Sequence, residues 1–240
     1  MKNIRILHLF PKLLSLYGEY GNVVILKKAL SDAGYSIDMT EYENEFPETF
    51  SEFDFIYVGS GTEDNIIEAN RRIFSYRDLI RRSIEEGKYW LATGNSMALF
   101  GKVIKRRDEE SASSGIFDYT TELFDDKRFS GDVLTSCDND ISSQLVGYVN
   151  TSSLYTGVKN PFCEFLLNSS LGNDKKSAFD GIRYMNFYGT QMIGPVLVKN
   201  PFFLNKLCKN ITDSEEDFTL SSYQYLAYET TLSELKKRLV

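Results

Sequence analysis

The chain has 240 residues, enough for one domain with a sizeable core or for two small ones. Its one histidine, His8, excludes a two-histidine zinc site and leaves a single imidazole for any Cys–His or Ser–His pair. Three cysteines (Cys137, Cys163, Cys208) without a C-x-x-C argue against a disulfide framework or a cysteine-held metal, and a net charge of −7 argues against nucleic acid as a partner.

Ile4 to Leu9 is a short apolar run that predicts a buried strand. No long apolar leader precedes it, and no run approaches the roughly 18 residues of a membrane span, so a cytoplasmic protein with reduced thiols is expected. Gly18 and Gly21 punctuate the next loop, where Asn22 is a candidate helix cap. Val23, Leu26, Ala29 and Leu30 recur at helical spacing, and Gly34 suits a left-handed helix end. Tyr35 to Glu41 and Phe53 to Val58 predict the second and third strands. A helix broken near Ser75 is expected over Asn65 to Glu86, stopped by Gly87, before a fourth strand at Tyr89 to Thr93 and a further helix starting over Ser96 to Phe100.

This alternation predicts an α/β fold of three layers: a mostly parallel sheet with helices on both faces. Lys105 to Ser114 reads as an exposed polar loop. Asp132 to Leu134, Gln144 to Asn150 and Gly181 to Tyr188 read as strands. Ser221 to Leu239 reads as a C-terminal helix packing through Tyr223, Leu226, Leu232 and Leu235. The basic runs Arg71-Arg72, Arg81-Arg82 and Lys105-Arg106-Arg107 read as solvated surface.

Open parallel sheets bind ligands beyond the carboxyl ends of their strands. Three stretches fall there: His8 and the loop to Asn22; Gly59-Ser60-Gly61-Thr62-Glu63-Asp64, whose small residues let backbone N–H groups approach a ligand; and Ala92-Thr93-Gly94-Asn95-Ser96. The last is a strand-to-helix turn with the pattern of a nucleophile elbow. Its centre, Gly94, tolerates strained angles but has no side chain with which to attack.

These stretches resemble the class I glutamine amidotransferases of the cobyric-acid-synthase type, and within them the amidotransferase subunits of lipid II isoglutaminyl synthases. The N-terminal motif H-L-Y-P-x-L-L-N-L-Y-G-D-R-G-N corresponds to His8-Leu9-Phe10-Pro11 followed by Leu13-Leu14-Ser15-Leu16-Tyr17-Gly18-Glu19-Tyr20-Gly21-Asn22. The G-G-G-x-D-x-E loop resembles Gly59 to Asp64 with its acidic residues shifted. The L-A-I-C-G-G-Y-Q-L-L-G elbow aligns without a gap to Leu91 through Gly101. R-x-x-G matches Arg128 to Gly131, and G-Y/F-E-N-H matches Gly147 to Thr151. G-T-Y-L-H-G-P-L-L-x-K-N-P matches Gly189 to Pro201.

The resemblance implies a single class I glutamine amidotransferase-like, flavodoxin-like domain over residues 1–240, and it places the family's nucleophilic cysteine on Gly94 and its catalytic histidine on Ile193. The elbow-helix glutamine falls on Ala98 and the histidine of E-N-H on Thr151. Without thiolate there is no acyl-enzyme, and without imidazole no proton shuttle. The expectation is a non-catalytic protein that retains a binding role. It implies a Mur-ligase-like partner subunit and glutamine or a related small ligand held by Gly59, Gly61, Gly94, Asn95, Arg128 and Asn150, with no cofactor and no metal. An active glutaminase supplying ammonia for cell-wall or cobalamin-type amidation, and a stand-alone ligand sensor, are the alternatives.

Substitute groups are few. His8 is expected to be a hydrogen-bonded histidine near a strand end. Cys137 reads as a stray thiol, and Cys163 and Cys208 as small core residues. Ser96 reads as a helix-start hydrogen-bonding group. Arg128 reads either as the clamp that the resemblance places near a ligand carboxylate or as a surface arginine. Glu63-Asp64 is expected to begin a helix.

Overall fold

Strand β1 (Asn3–Leu9) pairs in parallel with β2 (Ser36–Tyr42) on one side and β3 (Phe55–Val58) on the other, and β4 (Tyr89–Thr93) extends the sheet beyond β3. The computed structural model describes residues 2–137, 144–174 and 176–239. Helices α1 (Gly21–Asp32), α2 (Glu63–Ile73) and α3 (Arg77–Glu85) connect these strands, and the expected break between α2 and α3 is a 3₁₀ turn at Phe74–Tyr76. Gly34 and Gly87 end their helices at positive φ, as the chain pattern predicts.

Six short strands follow: β5 (Val103–Arg106), β6 (Glu109–Ala112), β7 (Thr120–Leu123), β8 (Phe129–Cys137), β9 (Val146–Thr151) and β10 (Ser153–Thr156). After them come β11 (Cys163–Leu167), β12 (Phe179–Asp180), β13 (Ile182–Tyr184), β14 (Phe187–Thr190) and β15 (Met192–Ile193). The β13–β14 hairpin returns to the first sheet, where β14 lies parallel to β4, giving the order β13-β14-β4-β3-β1-β2. The remaining strands form a four-stranded sheet, β10-β7-β5-β6, and an antiparallel five-stranded sheet, β12-β11-β8-β9-β15. Helices α4 (Val196–Lys199), α5 (Pro201–Thr212) and α6 (Ser222–Lys236) complete the chain.

The period-2 alternation of buried strands sorts residues onto the two faces of the central sheet. Ile4, Ile6, Phe55, Tyr57, Leu91 and Tyr188 face α1 and α5. Leu7, Leu9, Ile56, Val58, Trp90 and Phe187 face α2, α3 and the turn after β4. The predicted three-layer α/β architecture is therefore present, with two further sheets built onto it.

Three local readings are corrected. The polar segment Lys105 to Ser114 is not a loop throughout: β5 and β6 form a hairpin that sets Arg106 opposite Glu109 and Lys105 opposite Glu110, 3.2 Å apart as an ion pair. Cross-strand charge pairing supports such an edge hairpin without an apolar stripe. Asn22 does not cap α1; it lies inside the helix, and its Oδ1 accepts from the Leu197 N–H at 2.8 Å. In α6 the buried face is Tyr228 and Leu235 with Leu232, against Leu134, Val146 and Leu167. Tyr223 and Leu226 point outward, 80% and 60% exposed. The apolar residues of α6 occupy two opposing faces, so hydropathy alone does not single out the packed one.

The basic runs are engaged by carboxylates and carbonyls. Arg71 and Arg72 bond Glu68, Arg82 bonds Glu86, Arg81 bonds the Gly115 and Ile116 carbonyls, and Arg106 and Arg107 share Asp125. In urea titrations Leu235→Ala should cost about 2–3 kcal/mol, because it opens a cavity beneath α6. Leu226→Ser should stay within about 0.5 kcal/mol of the parent protein.

Candidate functional site

Strand β4 runs directly into a 3₁₀ segment at Gly94–Phe100, and the turn between them is held at positive φ (+62°) by Gly94. The elbow geometry is present, as its sequence pattern implies. The space beside it is filled. A Cβ on Gly94 would lie 2.5 Å from Ser60 Oγ and 3.0 Å from Ile193 Cγ2. The two positions that the resemblance assigns to nucleophile and base, Gly94 and Ile193, are thus brought together, and they meet as a bare α-carbon against a methyl group.

Asn95 clasps the neighbouring loop to this turn. Its Oδ1 accepts from the Ser60 hydroxyl at 3.0 Å and from the Gly61 N–H at 3.1 Å, and its Nδ2 donates to the Gly61 carbonyl at 2.7 Å. An elbow stabilises a developing oxyanion with backbone N–H groups from the turn and from a nearby loop. Here the Gly61 N–H is already engaged by a side chain of the protein. Ser96 donates to the Thr93 and Val58 carbonyls, the helix-start role expected of it.

Gly59 and Gly61 admit a protein segment. A Cβ at Gly59 would collide with the Leu14 carbonyl, and one at Gly61 would lie 2.5 Å from Leu14 Cδ2. Leu16 N–H donates to the Ser60 carbonyl at 2.9 Å, and Asn65 Nδ2 donates to the Leu13 carbonyl at 2.8 Å. The loop after β1 therefore closes over residues 59–61, and glycine is needed there because the two backbones approach so closely.

That loop carries the group least visible in the sequence, Glu19. Its side chain is fully buried. Oε1 accepts from the Gly194 N–H at 2.6 Å, and Oε2 accepts from the Tyr57 hydroxyl at 3.2 Å. Tyr57 also contacts the Thr93 hydroxyl at 2.9 Å, and Asn22 Nδ2 donates to the Tyr57 oxygen at 3.0 Å. Burial raises the carboxyl of Glu19 above its ordinary range, opposed by hydrogen bonds from Thr93, Gly194 and Tyr57 and by the charge of Lys199. The network reaches the residue before Gly94 and the residue after Ile193. The only prior signal was the place of Glu19 in the N-terminal motif; an acidic residue between two glycines carries no mark of burial.

A second polar cluster lies further out. Arg128 Nη2 donates to Glu63 Oε1 at 3.0 Å and its Nη1 to the Tyr17 hydroxyl at 3.3 Å. Asn150 Nδ2 donates to the same hydroxyl at 3.1 Å, and Ser152 donates to Glu63. Arg128 and Asn150 are thus brought together through Tyr17, at the surface. Glu63 does begin α2, behind the Thr62 cap, yet its carboxylate also occupies the guanidinium. Gly59, Gly61, Gly94 and Asn95 form the inner group and Arg128 and Asn150 the outer one. They are joined by the loop after β1 and by the Gly61–Glu63 segment.

His8 lies on β1, opposite Tyr57, with ring centroids 5.2 Å apart. It is 3% exposed, and its Nε2 has no hydrogen-bond partner among the described residues, so the expected hydrogen-bonded histidine is corrected at that atom. Burial pushes it down to about 4, which leaves it neutral at pH 7. No cluster of three or more His, Cys, Asp or Glu among the described residues is arranged to hold a metal.

Two measurements follow from this geometry. Gly94→Ala should cost about 2–4 kcal/mol in chemical denaturation, from a left-handed β-carbon and its overlap with Ser60. Ser60→Gly should recover part of that loss in the double variant. For His8, the unfolded chain binds a proton between pH 6.5 and about 4 that the folded chain does not, so this residue lowers stability as pH falls through that window. The stability of His8→Leu relative to the parent should therefore shift in the variant's favour by up to about 3 kcal/mol between pH 7 and pH 4.

No family model matches the chain. It is 25% identical over 218 residues to the glutamine-hydrolysing lipid II isoglutaminyl synthase subunit GatD of Staphylococcus aureus, spanning 87% of this chain and 86% of that protein. It is 22% identical over 236 residues to the GatD subunit of Streptococcus pneumoniae, spanning 96% of this chain and 88% of that protein. Among solved structures, a glutamine amidotransferase superposes with a TM-score of 0.51 at 15% identity, covering 84% of this chain and 98% of that one. In sequence the chain is GatD-like, and its α/β fold is that of the class I glutamine amidotransferases.

Proposed function

We propose that this chain is a GatD-like subunit that does not hydrolyse glutamine and acts by binding. The observation that carries this reading is the packing at the elbow, where Ser60 Oγ and Ile193 Cγ2 close on the place where a side chain of residue 94 would stand. Amide hydrolysis through an acyl-enzyme needs a nucleophile there and a base to move its proton. The cysteines supply neither: they lie on β8, β11 and α5, away from the β4 turn, and burial pushes the Cys163 and Cys208 thiols up, the latter to about 12. A thiol held protonated at neutral pH does not supply the thiolate that attack on an amide needs. His8 is neutral and packed against Tyr57 on β1.

The proposed role is association with a Mur-ligase-like, ATP-dependent partner in a cell-wall amidation complex, by analogy with the lipid II isoglutaminyl synthase subunits that the chain is similar to. A cytoplasmic setting belongs to the same reading; among the described residues no helix is long and apolar enough to cross a membrane. A small carboxylate ligand at this cluster, glutamine included, would compete with Glu63 for Arg128, whose Nη2 already donates to Glu63 Oε1 at 3.0 Å.

The deciding experiment is an ammonia-release assay on the purified chain, alone and with a co-expressed Mur-ligase-like protein encoded beside it. No release above buffer and a stable complex by size exclusion are expected, and Gly94→Cys should stay inactive because the thiol has neither room nor base. Ammonia release that co-purifies with the chain and vanishes in a His8→Leu variant of native fold would establish the active glutaminase instead. For the outer cluster, Glu63→Gln should tighten glutamine binding several-fold in calorimetry, and Arg128→Ala should abolish it. Equal heats for both variants would remove glutamine as the ligand.

A further inference from the structure

Two of the three cysteines are neighbours in space although 26 positions separate them in sequence. Cys137 ends β8, and Cys163 begins β11; the antiparallel register sets them directly opposite each other. Residues directly opposed in an antiparallel pair have α-carbons about 4.5–5.5 Å apart, within the range of about 4.4–6.8 Å that a disulfide spans. Their side chains share a face. Thr135 and Phe165, two residues along each strand, are also paired and buried, and Thr135 Oγ1 lies 3.3 Å from Cys137 Sγ. Both cysteines border one surface cleft of about 340 Å³, which Lys159, Asn160, Phe179 and Arg183 also line. Cys137 is half-buried at this cleft, and Cys163 lies behind it. Cys137 is a free thiol, as the sequence reading has it, and the register adds that it faces Cys163, which no spacing rule reveals.

We propose that Cys137 and Cys163 form a dithiol modification site, oxidised reversibly to a cross-strand disulfide by exchange with a small anionic disulfide of the glutathione type. In the first step Cys137 loses its proton, and its sulfur attacks one sulfur of the small disulfide. A mixed disulfide forms, and the S–S bond of the reagent breaks to release one thiol, which takes up that proton. In the second step Cys163 loses its proton and attacks the Cys137 sulfur. The mixed disulfide breaks, the second small thiol leaves with that proton, and β8 is joined to β11. Two protein thiols are oxidised by two electrons, and one small disulfide is reduced to two thiols. The geometry orders the steps, because Cys137 meets the cleft. Burial, and then the adjacent Cys137 thiol, push the Cys163 thiol up, which leaves Cys163 the second of the two to react. Lys159 and Arg183 at the cleft carry positive charge and Glu164 one negative charge, and Lys159 is shared with Asp118 at 2.9 Å. The site is independent of the elbow and does not rest on the proposed function.

The test uses the reduced, folded full-length chain treated with oxidised glutathione, acid-quenched, alkylated and mapped by peptide mass. A Cys137–Cys163 linked peptide is expected, released by dithiothreitol, with Cys208 still alkylated as a free thiol. Cys163→Ala should stop at a glutathionyl adduct on Cys137. Cys137→Ser, at the half-buried position, should form no internal disulfide and leave Cys163 unmodified. The proposal is overturned if the parent chain stops at the Cys137 adduct, if Cys137 links to Cys208 or to a second chain, or if all three thiols stay free.

Discussion

A carboxylate buried among hydrogen-bond donors organises the carboxyl end of the central sheet. Glu19 accepts from the Gly194 N–H and the Tyr57 hydroxyl, and Tyr57 in turn meets Thr93 and Asn22. Four separate stretches converge on it: the loop after β1, β3, the end of β4 and the turn after β15. An unpaired carboxylate at that depth is costly, so every donor around it is a constraint on where those segments lie. Asn22 extends the same network to the start of α4 through the Leu197 N–H. The α1 face, the elbow and the Ile193 turn are therefore set relative to one another by one buried carboxyl group and its hydrogen-bond partners.

Upon that frame, the turn after β4 has the backbone of an elbow with Gly94, which carries no side chain, at its centre. Positive φ at Gly94, the 3₁₀ segment after it and the glycine loop beside it are the scaffold of a nucleophile site. Scaffold and chemistry are separable, because a tight turn is a matter of backbone conformation whereas amide cleavage is a matter of one sulfur and one imidazole. The space that chemistry would need is occupied by short side chains, Ser60 and Ile193, and Asn95 seals the loop against the turn. A turn closed in this way is well packed, and the same closeness leaves little room for any side chain at residue 94.

The outer cluster shows a related substitution of internal for external partners. Glu63 pairs with Arg128, and Tyr17 collects Arg128 and Asn150. A guanidinium recognises a carboxylate by the same fork geometry whether the carboxylate is on a ligand or on a helix N-terminus of the same chain. In this structure one of the guanidinium's N–H groups is already engaged by a carboxylate of the chain itself.

Local pattern alone determined the central sheet's first four strands, the break between α2 and α3, the glycine helix ends and the elbow turn, because short-range periodicity and backbone preference decide those features. The resemblance carried by an ordered set of motifs is what brought Gly94 and Ile193 into one hypothesis. The β5–β6 hairpin escaped that reading because opposed charges, not an apolar stripe, hold it. The packed face of α6 escaped it because apolar residues lie on both sides of the helix. Tertiary structure alone decided that Glu19 is buried, that Ser60 fills the space at residue 94, that Glu63 reaches Arg128, and that Cys137 faces Cys163. Each of these depends on registers and loop closures between residues far apart in the chain, and a contact of that kind leaves no periodic signature in the sequence from which it could be read.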